Sequence, residues 1–154
     1  MWDLNINTLL NLAAVWGEEL GWRGFLFTKL KPLGFIPSTL IIGTLWGIWH
    51  APIIAMGHNF PQHPLEGIFL MTLFCITFSF IMNYFREKSG SVTLSSIMHG
   101  TLNGTAGLYI YGNTIRNDIL YNITGISGII AITITTVIIF ILDKQTFTQK
   151  TENN

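Results

Sequence analysis

Apolar residues run through this chain in long uninterrupted stretches, and charged residues collect at the ends of those stretches. No Asp, Glu, Lys or Arg falls between Lys31 and Glu66, Glu66 and Arg86, Lys88 and Arg116, or Asp118 and Asp143. Each gap is close to the ~20 residues a helix needs to cross the hydrocarbon of a bilayer. The pattern predicts five helices, over 6–29, 36–56, 65–85, 91–111 and 119–142. Pro32, Gly34 and Pro37 suit the turn into the second helix and its first turn. Ser89-Gly90-Ser91 suits the turn into the fourth. The Ile/Thr-rich fifth segment has the composition of a strand, but an open strand leaves its backbone polar groups unsatisfied in lipid, so a helix is expected.

Composition sharpens this to a membrane protein. Of 154 residues, 49% are hydrophobic and 10% are charged, against about 25% charged in soluble domains. The mean hydropathy is +0.48. The formal net charge is zero, which favours no nucleic-acid partner. No internal repeat or low-complexity linker divides the chain, so a single membrane domain over 1–154 is expected. The fold class is all-α, a multi-pass bundle of about five spans. Alternating crossings put Lys29, Lys31, Arg86, Lys88, Lys144 and Lys150 on one side and only Arg116 on the other. That bias assigns the lysine-rich side to the cytoplasm and the N-terminus to the outside. An odd span count with an outside N-terminus implies that further helices normally precede this segment.

The first helix breaks the pattern. Glu18, Glu19 and Arg23 sit inside an otherwise apolar span, at a cost of a few kcal/mol per charge even on lenient insertion scales. Such groups are expected to partner other buried polar groups, usually for function. His50 on the second helix, and His99 and Asn103 on the fourth, are the available partners. At 1.5 Å rise per residue, Glu18, His50 and His99 lie roughly 16, 20 and 12 Å from the same membrane edge, near the middle of the core. Glu19 and Arg23 are four apart and can pair, as can His99 and Asn103 in facing one site. Pro52 should loosen the helix just past His50. Small residues four apart, at Gly17/Gly21, Gly43/Gly47 and Gly100/Gly104, mark faces expected to let these helices approach closely.

Two imidazoles and a carboxylate, here Glu18, His50 and His99, are a common zinc-ligand set that leaves a position open for water. A second carboxylate can serve as general base. Asn103 can donate to a developing oxyanion. Together these are parts for peptide-bond hydrolysis.

Three motifs carry a family resemblance: E-E-L-G-W-R at 18–23, W-G-I-W-H at 46–50 and H-G-T-L-N at 99–103. They resemble the E-E-x-x-x-R, F-x-x-x-H and H-x-x-x-N pattern of the CPBP family, which groups CAAX prenyl proteases with bacteriocin-processing and immunity enzymes. The motif core covers about 13–111, with Trp46 where the pattern has Phe. Members usually carry additional N-terminal spans, and this chain is expected to be a fragment, a truncated product or a minimal member without them. The resemblance implies an intramembrane endopeptidase of a bacterial cell membrane. Its substrates would be prenylated or bacteriocin-type peptides or proteins. Glu18 would activate water, His50 and His99 would bind a divalent metal or orient the water directly, and Asn103 would support the oxyanion. Glu19 and Arg23 would form an orienting pair.

Other readings stand beside this one. A non-catalytic membrane immunity or binding protein fits the short chain, and a proton carrier fits carboxylates and histidines in a span. The tryptophans read mainly as packing or interfacial aromatics. His58 and His63 read as a solvated loop, Cys75 as packing, and the third and fifth helices as scaffold.

Overall fold

A computed structural model describes residues 2–112 and 117–148, with side chains over 11–106 and 117–148. Arg116 and Lys150, which entered the charge-bias argument, lie outside the described residues. Among the described residues the chain is all-α, with no strand.

The first predicted helix is one continuous rod in three parts. Helix α1, Trp2–Glu19, runs into a π-helical segment, Leu20–Leu26, and then into α2, Phe27–Leu30. In the π segment the hydrogen bonds reach one residue further, as in Phe27 N–H to Trp22 O. Such widened turns often mark functional sites. Pro32 and Gly34 then turn the chain, Gly34 with φ of 94°. The Ser38 hydroxyl holds the corner by donating to the Leu30 and Gly34 carbonyls, both at 2.6 Å.

Helix α3, Phe35–Trp49, ends at His50, and α4, Ala51–Ala55, follows. Pro52 explains the break: it has no N–H for the preceding turn, and its ring crowds the carbonyl four residues back. Helix α5, Pro64–Ser89, opens with Pro at its first position and closes on Gly90, whose φ of 66° suits a left-handed C-cap. Helix α6, Val92–Gly112, follows. The fifth predicted span divides into α7, Asp118–Tyr121, and α8, Ile126–Leu142, and a short α9, Lys144–Thr148, follows that the hydropathy pattern did not mark.

Among the described residues, two stretches are long and apolar enough to cross a membrane on length and composition, Pro64–Ser89 and Asp118–Leu142. The shorter Phe35–Trp49 is apolar as well. The outer face of α8 shows why composition reads as it does. Ile130, Ile134, Val137, Ile138 and Ile141 all point outward, an apolar surface that lipid covers and water would not.

Helix α5 is the axis of the bundle, packing against α3, α4, α6, α7, α8 and α9, while α1 packs on α6. Of the three glycine pairs, one makes the expected close approach. A methyl on Gly43 would lie 2.5 Å from Ile76 Cα, and one on Gly47 would lie 2.4 Å from Thr72 Cα. This face brings α3 onto α5, an apolar helix, rather than onto the helices with polar motifs. Among the described residues, Gly17, Gly21 and Gly104 have nothing within 4 Å, and Gly100 meets only Leu12, at 3.1 Å. At Gly17, Gly21 and Gly104 the expectation of glycine-mediated contact is corrected; α1 meets α6 at Gly100 and through the Glu19–His99 contact.

Lys31 before α3 and Lys88 in the last turn of α5 sit at one end of the bundle, each with an acidic partner. Lys31 pairs with Glu87 at 2.8 Å, and Lys88 with Asp143 at 2.5 Å. Phe147 of α9 packs among Phe35, Tyr84 and Phe140 there. At the other end, Asp118 is fully buried and accepts from Gln62 N–H at 2.7 Å while pairing with His63 Nδ1 at 2.6 Å. Asn122 donates to Asn59 O at 2.5 Å. The 56–63 loop is therefore locked to the α7–α8 connection. His63 belongs to this lock rather than to a solvated loop.

Candidate active site

Residues of α1 and the π segment build the buried side of the site. Glu19 and Arg23 are both fully buried. Arg23 Nη1 donates to Glu19 Oε1 at 3.0 Å, the expected pair across one turn. The same carboxylate oxygen meets His99 Nδ1 at 2.9 Å, so Glu19 ties α1 to α6. Arg23 Nη2 donates to Ser79 Oγ on α5 at 2.8 Å, and the guanidinium carbon lies 4.4 Å from the Trp46 ring centroid. One arginine thus joins α1, α3 and α5. Its own carbonyl accepts from Arg86 Nε at 3.1 Å, which pins the π segment to α5. Removing one member of such a buried pair strands the other charge at a cost of about 3–5 kcal/mol.

The histidines are fixed through their Nδ1 atoms. His50 Nδ1 lies 2.8 Å from Trp46 O. A carbonyl only accepts, so His50 carries its proton on Nδ1 and presents Nε2 as a bare lone pair. His99 Nδ1 faces the Glu19 carboxylate, the arrangement that orients an imidazole and leaves its Nε2 to act. Trp46 makes edge contacts with both rings, at 5.7 Å to His50 and 5.1 Å to His99. Trp49 stands 5.0 Å from His50.

In front of this network lies a cavity of about 670 Å³. Its lining brings together Glu18, His50, His99 and Asn103. Four of the six residues read from the sequence therefore share one space. Glu19 and Arg23 stand behind it, buried. Trp49, Ile53, Met71, Phe74 and Leu102 supply apolar walls. A volume of a few hundred Å³ with apolar walls and a few convergent polar groups is the usual form of a ligand site.

Sequence reading missed four contributors. Ser79 of α5 gave no signal, because an isolated polar residue on an apolar span matches no motif, and Arg86 was read only as a charge at the end of that span. His58 of the loop and Thr124 of the α7–α8 connection line the cavity. Placing them there requires the packing of the loop against α7.

The donor chemistry of Glu18, His50 and His99 suits a zinc ion, but their positions do not converge on one. Among the described residues, no three His, Cys, Asp or Glu side chains gather closely enough to hold a metal.

The sequence comparisons agree with the motifs. Residues 2–105 match the family described as Type II CAAX prenyl endopeptidase Rce1-like. A protein named CAAX prenyl protease 2, from Methanococcus maripaludis, is 38% identical over 53 residues, which is 34% of this chain and 19% of that protein. The match thus spans about a fifth of the relative's length. No solved structure matches the chain. With the family match running across all three motifs, the chain belongs to the Rce1-like family of type II CAAX prenyl endopeptidases.

Proposed function

We propose that this chain is a multi-pass intramembrane endopeptidase that hydrolyses a peptide bond with Glu18 as general base. The observation that carries this reading is the convergence of Glu18, His50, His99 and Asn103 on one cavity, backed by a buried network that fixes His99. Water in the cavity gives a proton to the Glu18 carboxylate as its oxygen attacks the scissile carbonyl carbon. That water's second hydrogen bonds to an Nε2 lone pair, of His50 or of His99, which orients it. Asn103 donates to the carbonyl oxygen as it becomes an oxyanion. Collapse of the tetrahedral species breaks the C–N bond, and the proton held by Glu18 passes to the leaving amine. General base catalysis by a placed carboxylate contributes about 10²–10⁴-fold, and one oxyanion donor about 10²–10³-fold.

The apolar walls favour substrates with an apolar segment beside the cleaved bond. A prenylated C-terminal peptide or a hydrophobic peptide of bacteriocin type meets that description, and a bacterial cell membrane is the expected setting. Trp49 and Ile53 would hold the apolar part against the α3–α4 end of the cavity.

Cleavage by the purified chain in detergent tests the proposal. The substrate is a fluorogenic peptide, offered with and without a farnesyl group. We expect product from the wild type and none from Glu18→Gln or His99→Ala at matched folding. Unchanged cleavage in either variant overturns the assignment. A divalent metal shared by Glu18, His50 and His99 is a second reading, favoured by their donor chemistry alone. It requires stoichiometric zinc in the purified protein that is lost in His50→Ala.

A further inference from the structure

Besides Thr124 Oγ1, two buried polar atoms on the cavity lining have no hydrogen-bond partner among the described residues: the Glu18 carboxylate oxygen Oε2 and the indole nitrogen Nε1 of Trp46. One is an acceptor and the other a donor. The Trp46 side chain lies close enough to the Glu18 carboxyl to interact with it, without closing a bond in good geometry. A buried donor or acceptor left unmade costs about 1–3 kcal/mol, so two complementary orphans side by side make a bond that a small rotation completes. The indole itself has little freedom. Trp46 is 1% exposed, its ring stacks on Phe78 at 6.4 Å, and Arg23 lies over its face. A cation over the ring draws electron density from the indole and strengthens its N–H as a donor.

We propose that Trp46 is the positioning residue for Glu18: its indole N–H donates to one carboxylate oxygen, leaving the other to take a proton from water in the cavity. The proposal rests on Glu18 being the general base. It also explains how two adjacent glutamates acquire different duties. Arg23 grips Glu19 through Nη1 and lies over the Trp46 ring. Trp46 in turn steers Glu18, so a single cation organises both. The family pattern has Phe at this position, which has no such donor.

The test has two arms. In the first, protein labelled with ¹⁵N at its tryptophan indoles is reconstituted in nanodiscs, with Trp46→Phe assigning the Trp46 N–H resonance. We expect that resonance downfield among the five tryptophans and moved upfield in Glu18→Ala. A Trp46 resonance unmoved by Glu18→Ala overturns the proposal. In the second, Trp46→Phe keeps the aromatic packing and removes only the donor. We expect kcat down by about 10–100-fold, the scale of a small misplacement of a reacting group, with KM within twofold. Wild-type kcat in a folded Trp46→Phe protein also overturns it. The arms separate this proposal from the protease reading. A wild type that cleaves nothing while its Trp46 resonance responds to Glu18 sinks the protease and leaves the pair standing.

Discussion

Replacing Gly47 with Ala tests the packing that places the α3 half of the site. The added methyl would sit 2.4 Å from Thr72 Cα and 2.9 Å from Thr72 Cβ. Carbon atoms rest at about 3.5–4.0 Å, so α3 and α5 must part by roughly 1 Å. The contact is with backbone, so no side-chain rotation relieves it. Overpacking of this kind costs about 1–3 kcal/mol. Alanine in a helix interior returns about 1 kcal/mol over glycine. The net expectation is a loss of about 1–2 kcal/mol, balancing the two costs. Gly17→Ala is the control, because nothing lies within 4 Å of its added methyl. It should be neutral or stabilising by up to about 1 kcal/mol. Unfolding in mixed SDS micelles, followed by circular dichroism, measures both. Because Trp46 and His50 flank Gly47, the same 1 Å displacement should also lower cleavage, by up to about 10²-fold. A Gly47→Ala protein as stable as the wild type, or no less stable than Gly17→Ala, refutes the reasoning.

Three further outcomes are expected. Arg23→Met should destabilise the fold by about 3–5 kcal/mol, because buried Glu19 loses its cation; stability equal to the wild type in the same micelle assay would contradict the network. Asp118→Ala should free the 56–63 loop, since Gln62 N–H and His63 lose their shared acceptor; limited proteolysis should then cut within that loop, and unchanged protection would count against the lock. Hydrogen bonding from Lys88 is the main force holding the Asp143 carboxyl down at about 2, from an ordinary 3.8. A depressed carboxyl stabilises the fold at higher pH and loses that contribution as pH falls through the folded value. The melting difference between wild type and Asp143→Asn should therefore be full above pH 3.8 and vanish toward pH 2; a difference constant across that range would contradict the pair.

Much of the site was legible in the sequence because charge in a membrane helix is conspicuous. Glu18, Glu19 and Arg23 stand out against an apolar span, and four-residue spacing alone pairs Glu19 with Arg23. Equal depth along separate helices was enough to group Glu18 with His50, His99 and Asn103. The partners were less legible. That His99 meets Glu19 rather than Glu18 depends on helix rotation, which no hydrophobic pattern reports. Gly43 and Gly47 were visible as a close-packing face, but the pattern does not say which helix fills it. Ser79 and Arg86 became meaningful only once α5 proved to be the axis of the bundle. The break at His50 followed from Pro52. The break at Asn122–Gly125 had no proline to announce it.

The central claim is that Glu18 activates water in a cavity inside the bundle. The measurement that tests it most directly is the rate of peptide-bond cleavage by Glu18→Gln relative to wild type, in proteoliposomes, with products identified by mass. The glutamine preserves size and hydrogen bonding but takes no proton from water. The account predicts a loss of at least about 10²-fold with the fold intact. Cleavage at the wild-type rate, at the same bond, would contradict it.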